Sequence, residues 1–454
     1  MTDLGLMSTT EQIELIRKRE VTSSELTAHY IERIERLDHE INAVVTRDFE
    51  RALSESELAD EKTSRGETLG PLHGIPITVK DALATEGLRS TGGAVELSEY
   101  VPDGDAAVVQ AVRDAGAIVM GKTNLPRWSG DIQAYNEMFG TTNNPWDLER
   151  VPGGSSGGAA AAVAMGFTSF EIGTDIGGSI RFPAAFNGVW GHKPSFGLIP
   201  TTGYLDYENG GLNEADINVF GPIARSASDL DLLLSLMVRS KKPWVVQLSD
   251  PPADIRKLKI GAWLDDEFCP VDAEVLETVD IAVSALEADG FQIDREARPA
   301  IDPDEAAMLG LWLVQRATSQ STQSNGPGHR IWLDHHVRRE EIRKAWEYFF
   351  SSYDAIILPV SFVPPFHHQQ TGDWSKRTLI CNGEDRPYRD VAKWTTMVGM
   401  AYLPSTVPPI GIGASGVPIG CQVVGAYGHD RLTISLASHI GDLMGGFIAP
   451  PRAL

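Results

Sequence analysis

Apolar positions recur at helical spacing near the N-terminus and in short runs further along. Thr22-Ser23-Ser24-Glu25 forms a capping box, and Leu26, Tyr30, Ile34 and Leu37 then keep one apolar stripe. The first sixty residues read as helical, with a further helix over 47–62. From there the chain alternates. Ile75-Pro76-Ile77-Thr78-Val79 is a short apolar strand ending at Lys80, 105–115 a helix, and Ile118-Val119-Met120 a strand. Strands are predicted over 259–263, 355–358 and 420–424, with helices over 272–289 and 430–443. Such alternation implies a layered α/β architecture.

Clusters of Pro, Gly and Ser fall between single elements, so one large domain is expected rather than two. In this division 1–62 is a helical segment packed on the core and 63–454 the catalytic domain. Residues 243–254 read as a surface excursion. Residues 301–350, with Trp312, Trp332, Trp346, Phe349 and Phe350, read as a substrate-side insert.

Composition narrows the classes. The 454 residues are 42% hydrophobic and 22% charged, enough to bury a large core. A net charge of −23, with no Lys/Arg-rich run, argues against a nucleic-acid partner. Cys269, Cys381 and Cys421 lie far apart without a CxxC pair, which excludes a disulfide scaffold or zinc ribbon. The N-terminus, Met1-Thr2-Asp3-Leu4, reads as no signal peptide, and no apolar run reaches membrane-spanning length. A cytoplasmic enzyme is expected. Adjacent histidines rarely share one ion, so His335-His336 and His367-His368 are read as surface residues, and neither metal nor cofactor is expected.

The chemistry concentrates in 152–197. Pro152-Gly153-Gly154-Ser155-Ser156-Gly157-Gly158 leads into an alanine-rich segment, then Gly173-Thr174-Asp175-Ile176-Gly177-Gly178-Ser179-Ile180-Arg181. Glycines flanking a serine let backbone N–H groups converge on one point, as an oxyanion hole requires. A serine needs a base, and Lys80 at its strand end is the lysine to suspect. No lysine has serine three positions earlier, so the Ser-x-x-Lys pattern fails. Gly153-Gly154-Ser155-Ser156-Gly157 matches a Gly-x-Ser-x-Gly elbow, but no hydrophobic strand precedes it.

These glycine-serine motifs, with Gly188-Val189-Trp190-Gly191-His192-Lys193-Pro194 and Gly74-Ile75-Pro76-Ile77-Thr78-Val79-Lys80-Asp81, resemble the amidase signature family. Gly121-Lys122-Thr123-Asn124-Leu125-Pro126, 139–146 and 416–422 extend the resemblance over nearly the whole chain. It implies an α/β/α domain with a central mixed sheet covered by helices. It also implies Ser179 as nucleophile, Ser155 as a bridging serine held by a cis peptide, and Lys80 as base. The N–H groups of Ile176, Gly177, Gly178 and Ser179 would form the oxyanion hole. Ser156 and Thr174 are expected to be supporting hydroxyls, and Asp175 and Arg181 an ion pair bracing the loop. Ser129, Gly130, Asp131 and Gln133 would flank the acyl pocket, Asp131 and Gln133 making it polar. His192 and Arg127 depart from the family's usual residues at their positions. The expected activity is cleavage of a small linear or aryl amide, and a homodimer is common in the family. Two alternatives remain: a glutamine amidotransferase subunit of a tRNA-dependent complex, and an esterase using Ser155.

Overall fold

The computed structural model describes residues 3–67, 70–207, 211, 212, 214–238, 247–317 and 328–454. Two sheets organise it. The larger runs from the edge strand Gln292–Asp294 through Lys259–Ala262, Ala355–Pro359, Pro418–Gly425, Ser405–Val407, Trp190–Lys193 and Val219–Ala224 to Glu171–Asp175. Its first three strands are parallel, and every later pairing along this path is antiparallel, so the sheet is mixed. The smaller sheet holds Ile118–Thr123 between Pro76–Lys80, in parallel, and Val44–Arg47, antiparallel.

The helix Gly157–Ala164 packs against strands of both sheets. All eight of its residues are buried. A helix that is apolar all round belongs inside the protein, and glycine and alanine let the strands come close. Its start therefore brings the first serine turn into the centre.

The N-terminal helices follow from their caps. Ser8 with Glu11, and Thr22 with Glu25, both complete capping boxes, starting Thr9–Lys18 and Ser23–Ile41. Leu26, Tyr30 and Ile34 are buried along one stripe.

The reading of the first sixty residues as wholly helical is corrected: Val44–Arg47 is a strand, and the next helix, Phe49–Ser64, starts two residues later than expected. Val44-Val45-Thr46 is β-branched, which suits a pleated edge paired to Lys122 and Thr123. The 301–350 segment is built from the helices Pro303–Ala317 and His329–Phe350. Residues 318–327, and 243–246 of the expected excursion, lie outside the described residues.

Candidate active site

Lys80 ends a fully buried strand, and its side chain is itself fully buried. Nζ lies 2.7 Å from Ser155 Oγ, 3.0 Å from Ser156 Oγ and 2.7 Å from Thr174 Oγ1. Burial pushes the amine down to about 7, against the upward pull of the Asp175 and Glu171 charges. Ser156 directs its own proton at the Thr174 carbonyl, at 3.4 Å, and so accepts from Nζ. A neutral amine has two N–H groups and one lone pair. If the N–H groups serve Ser156 and Thr174, the lone pair is left for the hydroxyl proton of Ser155.

Two other buried lysines show that burial alone does not select a base. Lys122 is pushed down to about 8 and Lys193 to about 7, both first of all by desolvation. Lys193 donates to the Pro194 and Leu403 carbonyls, and Lys122 to the Leu83 carbonyl, Thr85 and Ser90. Lys80 is the one of these three whose amine contacts are hydroxyls only.

The Gly154–Ser155 peptide is cis. Gly154 lies against the 131–133 backbone: a Cβ there would come within 2.6 Å of the Ile132 carbonyl carbon and 2.7 Å of Gln133 N. Glycine at this place is what lets the first turn lie flat on the cavity wall.

The second turn is organised by Asp175. Its carboxylate accepts the N–H groups of Gly178, at 2.8 Å, and Ile180, at 3.1 Å. Arg181 donates to both carboxylate oxygens, at 3.0 and 2.9 Å, and passes on to Thr395 O and Gln422. Burial alone would raise the Asp175 carboxyl, but the Arg181 guanidinium overrides it and holds it below its ordinary value. Gly178 has φ +124°, and a side chain there would run into the Phe182 ring.

One expectation needs correcting here. The Gly178 N–H is committed to Asp175 and is not available to a substrate oxygen. Among the described residues the N–H groups of Ile176, Gly177 and Ser179 have no such partner, and all three residues face the cavity. Ser179 is partly exposed, and its carbonyl accepts Ser156 N–H at 3.3 Å, which ties the two turns together.

Sequence reasoning missed Glu171. Its buried carboxylate accepts the hydroxyls of Thr78 and Thr123, both at 2.8 Å, and the N–H groups of Lys80 and Ile172. Burial pushes the acid up to about 7. The available signal was a carboxylate between Phe170 and Ile172, where an apolar strand demands that any charge find partners.

Beside Ser179 opens a cavity of about 1020 Å³. One wall is the 127–132 segment, another the helices Pro303–Ala317 and His329–Phe350. Trp128, Phe182, Met308, Leu309, Trp312 and Trp374 make it largely apolar and aromatic. Trp128 and Ser129 take left-handed backbone at φ 53° and 56°. Left-handed non-glycine residues of this kind are costly and cluster at functional sites.

Ser129, Gly130 and Asp131 line the cavity; Gln133 does not. Its amide is buried and bonded to the Gln369 backbone in both directions, at 2.8 and 2.9 Å. Asp131 brings little free polarity, because Tyr388 at 2.6 Å and Arg377 at 2.9 Å hold its carboxylate. Arg127 stands at the rim, paired with Glu96.

Of the three tryptophans in 301–350, Trp346 is core, Trp332 is exposed, and Trp312 lines the cavity. His335, read as a surface residue, stacks on Trp312 with ring centroids 3.9 Å apart and also lines the cavity. His192 is buried away from it, bonded to Thr406 and Asp430. Among the described residues no cluster of His, Cys, Asp and Glu could hold a metal, and no helix is long and apolar enough to cross a membrane.

The sequence matches the family model described as Amidase over residues 25–327 and 311–434. It is 30% identical to a glutamyl-tRNA(Gln) amidotransferase subunit of Alkaliphilus metalliredigens, covering 96% of each chain. It is also 30% identical to fatty-acid amide hydrolase 2-A of Danio rerio, over 99% of this chain and 91% of that one. In fold it is similar to a bacterial aryl acylamidase of the amidase signature family, with a TM-score of 0.84 at 23% identity and 96% of both chains covered.

Proposed function

The chain belongs to the amidase signature family of carbon–nitrogen hydrolases, and on that premise we propose that it cleaves a small apolar or aryl amide through an acyl-enzyme on Ser179. The observation that carries this reading is the Lys80 amine, buried and set among the hydroxyls of Ser155, Ser156 and Thr174. Neutral Lys80 takes the Ser155 proton, and Ser155 takes that of Ser179, whose Oγ attacks the amide carbonyl. The N–H groups of Ile176, Gly177 and Ser179 hold the developing oxyanion. The relay then returns a proton to the leaving amine nitrogen as the C–N bond breaks. Water hydrolyses the Ser179 ester by the same relay.

The substrate class rests on the walls. Trp128, Phe182, Trp374 and the Trp312–His335 stack offer flat apolar faces, so an aryl or branched apolar group fits better than a polar chain. The 301–350 helices act as the substrate-side insert. A panel of aliphatic, aryl and amino-acid amides tests this: aryl and apolar amides should give the highest kcat/KM. Preference for polar amino-acid amides would overturn it.

A second reading, as part of a glutamine amidotransferase complex, is favoured by the relative from Alkaliphilus metalliredigens and disfavoured by the net charge of −23. The chain purified alone decides between them: turnover of simple amides without partners supports the hydrolase. The esterase reading through Ser155 has little support, since no strand leads into that buried residue.

A further inference from the structure

Bonded to the main chain of Lys80 lies a buried carboxylate to which the mechanism above gives no task. Glu171 sits where the two sheets meet. One oxygen takes the hydroxyl protons of Thr78 and Thr123, from two strands of the smaller sheet, each at 2.8 Å. The other takes the N–H of Lys80, at 3.1 Å, and of its own neighbour Ile172, at 2.9 Å. All of these partners donate, as an ionised carboxylate requires.

We propose that Glu171 is a positioning residue for the Lys80 amine: its carboxylate clamps the main chain of the lysine strand and supplies the negative charge against which Lys80 holds or releases its proton. This rests on the reading of Lys80 as the base. The geometry favours it over a purely structural link. A neutral side chain could join the sheets, whereas a carboxylate in an apolar centre is costly unless a cation shares the site.

The charged groups around the pair are few. Lys80 faces Glu171 and Asp175, and the Asp175 charge is already answered by Arg181. Glu171 also faces Lys122, which in turn feels Asp81, Asp105 and Arg113. Burial pushes Glu171 up and Lys80 down, each to about 7, and the Glu171 charge acts on Lys80 in the opposite sense to burial, favouring the ammonium form. While Glu171 is ionised it keeps the ammonium form of Lys80 in place. Removing its charge therefore lets Lys80 lose its proton at lower pH.

The test is Glu171→Gln in the full chain, read by lysine ¹³Cε NMR titration and by the pH dependence of kcat/KM. The Lys80 resonance is assigned by its loss in Lys80→Ala. Glutamine keeps the shape, with its oxygen toward the two N–H groups and its amide toward hydroxyls that can turn to accept. The Lys80 midpoint should fall by about one pH unit, with the acidic limb of kcat/KM moving the same way. An unmoved midpoint overturns the proposal. A midpoint that moves while the limb stays fixed supports the positioning role and rejects Lys80 as base, so the two failures are distinct. If Glu171→Gln does not fold, Thr123→Val removes one donor from the carboxylate, leaving it more readily protonated. The Lys80 midpoint should then fall by a few tenths of a unit, and no shift again overturns the proposal.

Discussion

The two sides of the cavity are built on opposite rules. On one side Lys80, Ser155, Ser156, Thr174, Asp175 and Arg181 are buried, and Lys80, Asp175 and Arg181 are each held by several hydrogen bonds. On the other, the helices Pro303–Ala317 and His329–Phe350 present partly exposed apolar and aromatic side chains in ring contact, joined at the wall by the ion pair of Glu305 with Arg338. A reaction centre needs groups fixed to fractions of an ångström; a binding wall needs area and shape. In the function proposed above, the first region would specify the reaction and the second the molecule that enters.

Substitutions on the two sides should therefore fail differently. Ser179→Ala should lower kcat on the order of 10⁴–10⁶ while leaving substrate affinity near wild type, measured by steady-state kinetics and by binding to the inactive variant. Retained turnover would place the nucleophile elsewhere. Asp175→Asn comes next. It leaves Arg181 buried without its charge partner, which costs about 3–5 kcal/mol of stability in denaturant unfolding. It also weakens the frame holding Gly178 and Ile180, so kcat should fall as well. A variant of normal stability and activity would show that the loop holds its shape without the carboxylate.

Lysine burial sharpens the contrast by pH. Lys80 is pushed down to about 7, and only its neutral form accepts a proton, so kcat/KM should rise with pH through about 7 and then level. A flat profile from about pH 6 to 9 would count against a lysine base. The smallest effect belongs to the wall. Trp312→Ala removes one face of the stack with His335 and should raise KM about tenfold with kcat little changed. A fall in kcat as large as that of Asp175→Asn would erase the division between the two sides.

This division also explains what could be read from the chain. Lys80, Ser155 and Thr174 could each be named because glycine turns and a strand end are short local patterns, and the family resemblance joined them across the 75 and 94 residues that separate Lys80 from the other two. The layered α/β order was legible for the same reason. Val44–Arg47 was not, because its strand character depends on a partner some 75 residues away. Nor was the direction of single hydrogen bonds: Gly178 spends its N–H on Asp175 within its own turn, where a free amide and a bonded one read alike in the sequence, and Gln133 turns to the Gln369 backbone, a tertiary contact. His335 looked like a surface residue because its ring partner, Trp312, lies on a separate helix.

The account turns on which serine carries the acyl group. A fluorophosphonate reacts with the activated serine of an amidohydrolase and leaves a stable adduct, which peptide mass spectrometry can place. The adduct should fall on Ser179 and be lost in both Ser179→Ala and Lys80→Ala. An adduct on Ser155, or one on Ser179 that forms as fast without Lys80, would contradict the relay from Lys80 through Ser155.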